Sequence, residues 1–166
     1  MWGIDSGGFA FPLSDAASGV FDTQEKIMTA ITLESAHRAA AAAQSAAAER
    51  GITVVVTIVD AGVQPVLIAR QDAAPIAAID ASLSKARTTL YFGGAATADL
   101  SGATAPGGPL FGFEHAVAAP LAFIGGAVPV RDAQGSIVGA VGVGGGSAEQ
   151  DHEIATAAAA AIGASA

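Results

Sequence analysis

Residues Val138 to Ile154 read VGAVGVGGGSAEQDHEI. A strand of small and β-branched residues runs into Gly142 and then Gly144, Gly145 and Gly146. Ser147 and an acidic helix start follow. Glycines ahead of a helix let backbone N–H groups converge on a ligand, or let another element approach the backbone closely. A Walker A loop needs Gly-Lys followed by Ser or Thr, and no lysine is near. A dinucleotide loop needs a parallel βαβ unit, whereas the strand here pairs back across the turn Asp132-Ala133-Gln134-Gly135. Close backbone approach, by a helix or a ligand on the sheet, is the better reading. A carboxylate held at this helix start is physically reasonable.

Working outward, Ala148 to Ile162 reads as a terminal helix, with Glu149, Asp151 and Glu153 complementing its N-terminal dipole. Val128–Arg131 and Ile137–Val143 form a hairpin, and Ala122–Ile124 is expected as a further short strand. Thr53–Val59 is a β-branched run and reads as a buried strand; it turns at Asp60-Ala61-Gly62 and returns as Val66–Ala69. The first helix starts at Thr32 as N-cap and stops at Gly51, with alanine, the best helix former, between them. A second helix spans Ile76 to Phe92, and Thr97 is expected to cap a short turn through Leu100. Residues 101–113 form a long loop rich in Gly and Pro, the kind of connection that often carries function. The order is α-β-β-α-loop-β-β-β-α. It predicts an α/β fold, a central antiparallel sheet of about five strands flanked by helices. Residues 1–28 form an irregular extension, and 29–166 a single domain.

The 166 residues are 52% hydrophobic, much of it alanine, and carry a net charge of −8. Phosphate contacts need clustered Lys and Arg, so nucleic acid is excluded as a partner, and an anionic membrane surface is disfavoured. With no cysteine, there is no disulfide frame, no thiolate metal site and no thiol nucleophile. No stretch reads as a membrane span, and residues 1–21 lack a basic n-region and a continuous apolar run. A cytoplasmic location is the expectation.

The histidines are His37, His115 and His152. No pair has the i,i+4 spacing of a metal motif, and HExxH is absent. His37 falls on the helix face of Leu33, Ala40 and Gln44, near the apolar stripe. His115 follows the long loop beside Glu114 and could line a pocket, whereas His152 reads as solvated. Asp60, Glu114 and Asp151 are candidate acid/base carboxylates. Lys85 and Arg87 could neutralise an anionic ligand or cover the second helix with their stems.

From Ile31 to Ile162 the chain resembles the GlcG/HbpS/PduO C-terminal family of haem-binding proteins. The carriers are TLESAHRAAAAAQSAAAERG (32–51), VTIVDAGVQPVLIARQD (56–72), IDASLSKARTTLYFG (79–93), PLFGFEHAV (109–117) and IGGAVPVRDAQGSIVGAVGVGGGSAEQD (124–151). The resemblance implies a profilin-like domain, homo-oligomers, haem or corrinoid binding, and haem degradation in HbpS-like members. By the same analogy His37 is the axial ligand, since a neutral imidazole on a rigid helix suits iron. Lys85 and Arg87 meet the propionates, and the cofactor site includes Gly145, Gly146 and Ser147. The alternative is a cofactor-free enzyme acting on a small anionic metabolite. Its pocket lies between the first helix, the 106–115 loop and the Gly144–Ser147 turn. His37, Glu114 and His115 are its acid/base groups, and glycine-loop amides hold a developing oxyanion.

Overall fold

The computed structural model describes residues 31–163; the extension expected over 1–28 lies outside them. Helix α1 spans Leu33–Glu49. Thr32 caps it: its hydroxyl accepts from the Ser35 N–H at 3.1 Å, and the Ser35 hydroxyl accepts from the Thr32 N–H at 3.0 Å. These reciprocal bonds satisfy two donors at the helix start. Gly51, at φ +66°, takes the left-handed conformation that ends the helix.

Strands β1 (Val55–Asp60) and β2 (Pro65–Arg70) form the first hairpin. Helix α2 (Ala78–Tyr91) follows, then the short α3 (Thr97–Leu100). Strands β3 (Ala127–Arg131) and β4 (Ile137–Gly144) form the second hairpin, and α4 (Ala148–Gly163) closes the domain. Every strand pairing is antiparallel, in the order β2-β1-β4-β3.

The sheet thus has four strands among the described residues, not five. Ala122–Ile124 is not a strand. The Ala122 N–H donates to the Thr88 hydroxyl of α2 at 2.9 Å instead of to a sheet neighbour. Thr97 is also corrected: it is the first residue of α3, not its cap. Its buried hydroxyl accepts from the Ala127 N–H at 2.9 Å and straps α3 to β3.

Successive strand residues face opposite sides of a sheet, and β1 and β4 use both. Val56, Ile58, Val141 and Val143 join the main core with the alanine face of α1 and Ile154 and Ala155 of α4. Fully burying a side chain such as Ile58 contributes about 1.5–3 kcal/mol. On the other face, Val55 packs on Ala78, and Val59 and Ala140 pack on Ala86 of α2. Ala140, Gly142 and Gly144 of β4 fall on this second side. A Cβ on Gly142 would overlap the Ser82 carbonyl oxygen, and one on Gly144 would lie 3.1 Å from that of Ala78. The glycine alternation that opened the sequence reading is therefore a groove for α2. At its centre the hydroxyls of Thr57 and Ser82 hydrogen-bond at 2.7 Å.

This close approach sets an expected outcome in urea unfolding. Gly142→Ala lowers stability by about 1–3 kcal/mol through overpacking. Gly102→Ala, where an added Cβ meets nothing within 4 Å, stays within about 0.5 kcal/mol of the parent. Equal midpoints for the two variants would disprove the groove.

Candidate functional site

Each sequence-predicted residue has a definite place. His37 projects from the exposed face of α1, not from the apolar stripe, which is Ala36, Ala39, Ala40, Ala43 and Ala47. Leu33, one turn earlier, is 55% exposed. Neither His37 ring nitrogen is hydrogen-bonded to a described residue. Arg38 beside it pairs with Glu34 at 3.2 Å.

Lys85 is not available to a ligand. It lies 4% exposed, its ammonium 2.7 Å from Asp151 Oδ2 and 3.0 Å from the Val143 carbonyl. Gly126 makes room for it, since a Cβ there would stand 2.6 Å from Lys85 Nζ. Asp151 is likewise removed from acid/base work. Its second oxygen accepts from the Gly146 N–H at 2.8 Å. Arg87 is half-buried and makes no ion pair among the described residues. Asp60 is a turn residue whose carboxylate accepts from the Gln64 N–H at 2.8 Å.

The glycine turn does not cradle an anion. The Gly146 N–H is held by Asp151, and the Ser147 N–H donates to Gln150 Oε1 at 2.9 Å. The Gln150 N–H in turn donates to the Ser147 hydroxyl at 3.3 Å, a capping box written in the sequence as SAEQ. Gly145 packs against the backbone of Thr53 and Val54. The donors that a phosphate or oxyanion would need at Gly146 and Ser147 are taken by the helix itself.

His115 and Glu114 sit in the 3₁₀ turn Phe113–His115, with side chains 85% and 41% exposed and 3.7 Å apart. The long loop is anchored by aromatic contacts. Phe92 at the end of α2 meets Phe113 and Phe123 edge to face, with centroids 5.3 and 5.2 Å apart.

The described residues open in a place other than the one expected between α1, the loop and the glycine turn. A cleft of about 320 Å³ lies between α3, the Ile124-Gly125 segment and the first turns of α4. Ala98, Ile124, Gly125 and Ala148 form its apolar side; Ser101, Glu149, His152 and Glu153 form its polar side. His37, Glu114 and His115 do not line it, so the acid/base trio is not assembled there. His152, expected to be solvated, is half-buried instead. Its Nδ1 is fully buried with no hydrogen-bond partner among the described residues. The i, i+3, i+4 spacing of Glu149, His152 and Glu153 was the available signal, since it places all three on one helix face. Among the described residues no group of His, Cys, Asp and Glu is arranged to hold a metal ion, and no helix is long and apolar enough to cross a membrane.

Comparisons with known proteins place the chain. Residues 31–160 match the family model described as haem degrading protein HbpS-like. The chain is 36% identical over 125 residues to an uncharacterised 15.0 kDa protein of the dhaT-dhaS intergenic region of Citrobacter freundii, covering 75% of this chain and 87% of that one. It is 34% identical over 141 residues to the corrinoid adenosyltransferase PduO of Salmonella typhimurium, covering 84% of this chain but only 41% of PduO. The crystal structure of a PduOC:haem complex superposes with a TM-score of 0.74 at 32% identity, covering 80% of this chain and 94% of that one.

Two outcomes follow from the geometry. Lys85→Met leaves Asp151 buried without its cation and lowers unfolding free energy by about 3–5 kcal/mol in denaturant titration. An unchanged midpoint contradicts the pairing. Glu149 is the second case. Its own backbone N–H and the Ser147 hydroxyl donate to its carboxylate and hold its pKa below the ordinary range. A lowered folded-state value means that this small stabilisation is present above the unfolded carboxylate pKa and is lost as pH falls through the folded one. In an NMR titration Ser147→Ala moves the Glu149 midpoint upward; a midpoint that stays put disproves the bond.

Proposed function

The chain belongs to the HbpS-like family, and we propose that within it this protein binds haem, or a related tetrapyrrole, with His37 as the axial ligand. The observation that carries the reading is His37 itself. It is an exposed imidazole on a capped, rigid helix, with both ring nitrogens free of described partners. The structural likeness to the PduOC:haem complex supports it.

The donor set fits the group in a restricted way. Imidazole is a common axial ligand, and bound haem supplies a redox-active iron. Leu33, exposed one turn away, offers apolar contact to the macrocycle. A single convex helix face does not enclose a flat ring, so the second wall comes from another copy of the chain, consistent with a homo-oligomer. Lys85 plays no part, because its ammonium is held by Asp151. Arg87, half-buried on α2, sits across the sheet from α1 and is remote from a ring held by His37 of the same copy. Haem degradation, the finer reading, adds an external electron donor and dioxygen, both of which reach an open site. A cytoplasmic location goes with this reading.

The cofactor-free alternative loses its main support, because its three acid/base residues do not share the cleft. Haem titration tests the choice. The parent protein gives a saturable Soret band. His37→Ala abolishes it or weakens binding at least about tenfold, a loss of about 1.4 kcal/mol, whereas His115→Ala leaves it unchanged. A Soret band that survives in His37→Ala overturns the assignment. Bleaching of the band under ascorbate in air, with release of iron, separates degradation from storage.

A further inference from the structure

A haem held by His37, as proposed above, has two needs that α1 does not meet: an apolar cover for its second face and a cation for its propionates. Cations are scarce in a chain of net charge −8, and nearly all those of the described residues are engaged. Arg38 pairs with Glu34, Arg50 with Glu153, and Lys85 with Asp151. The guanidinium groups of Arg70 and Arg131 donate to the carbonyl oxygens of Ala74 and Gly135, at 2.9 and 3.0 Å. Among the described residues Arg87 alone has neither an ion pair nor a hydrogen bond for its side chain. It is half-buried on α2, and a partly desolvated guanidinium attracts a carboxylate more strongly than one in open water.

The same end of α2 carries exposed aromatic surface. Tyr91 lies one turn beyond Arg87 on the same helix face and is 49% exposed. Phe113 is fixed by its edge-to-face contact with Phe92 at the end of α2, yet is still partly open to solvent. Phe111, two residues before it, is 64% exposed. Flat aromatic rings stack on a macrocycle, and a guanidinium matches the geometry of a carboxylate. One copy cannot bring this surface and His37 to the same ring. The alanine face of α1 packs on one side of the sheet and α2 on the other.

We propose that the haem site is shared between two copies of the chain. One copy supplies His37 and Leu33. The second covers the open face of the ring with Tyr91, Phe111 and Phe113 and meets a propionate with Arg87. The site is incomplete in either copy alone, and the anionic edge of the ligand selects the one cation left without a described partner. This assignment rests on the haem reading, which it extends from the axial ligand to the opposite wall.

The test follows the Soret band of the whole protein with two probes, haem and haem dimethyl ester, which has no free carboxylate. Arg87→Gln weakens haem about fivefold, as expected for removal of a partly solvated ion pair, and leaves the affinity for the ester as in the parent. Adding Phe111→Ser, at an exposed position, brings the loss for haem to about tenfold or more. Complementation then separates a shared site from one built within a single copy. The His37→Ala chain and the Arg87→Gln, Phe111→Ser chain each lack parent affinity alone. Co-expressed in equal amounts they regain it at about one site in four, because a working site takes its histidine from one chain and its wall from the other. The proposal is overturned, with His37 still the ligand, if the mixed oligomer regains no such sites. It is likewise overturned if the double variant binds haem as the parent does, or if Arg87→Gln weakens the ester as much as haem. A parent protein that gives no Soret band overturns the haem reading and the shared site together.

Discussion

Lys85 and Asp151 meet at 2.7 Å in the interior, their side chains 5% and 3% exposed. The pair joins α2, on one side of the sheet, to α4, which packs on the other. It works only because neighbouring backbone has been stripped of side chains. Gly126 leaves room for the ammonium, and the alternation Ala140, Gly142, Gly144 lets α2 settle close to β4. A charge this deep is tolerated because its bonds are satisfied: Lys85 donates to Asp151 and to Val143, and Asp151 accepts from Gly146 as well. Such a pair is no guarantee of extra stability, but half of one is severely destabilising. Its strength as a constraint is geometric, since it holds the glycine turn and the start of α4 in one arrangement.

That arrangement decides what the glycine turn can do. With the Gly146 and Ser147 amides engaged by Asp151 and Gln150, the helix start is closed to anions. Two other places carry polar side chains that solvent reaches. One is the exposed face of α1, where His37 stands free. The other is the cleft lined by Glu149, His152 and Glu153.

Most elements were legible from local signals. Thr32 and Gly51 bound α1 as read, because capping and left-handed glycine act over a few residues. The β-branched run 53–59 and the turn at Asp60 place the first hairpin within a residue or two. The errors were non-local. Ala122–Ile124 has strand composition, but Thr88, 34 residues away, takes the bond that a strand partner would need. His37 sits at helical spacing from the alanine stripe, yet it lies just beyond the part that α4 and the sheet cover.

The amino-acid sequence alone therefore determined the family, the helices, the hairpins and the small-residue stripe of β4, since each is written in spacing and conformational preference. Tertiary structure alone decided the use of the charged groups. Lys85 and Asp151 look like surface residues in the sequence and become an interior pair only when two helices meet through the end of the sheet. His152 looks solvated and becomes a cleft wall only when Ile124 and α3 fold over against it. Partners separated by 66 residues, as Lys85 and Asp151 are, leave no local pattern, because their meeting depends on chain topology and not on residue preference.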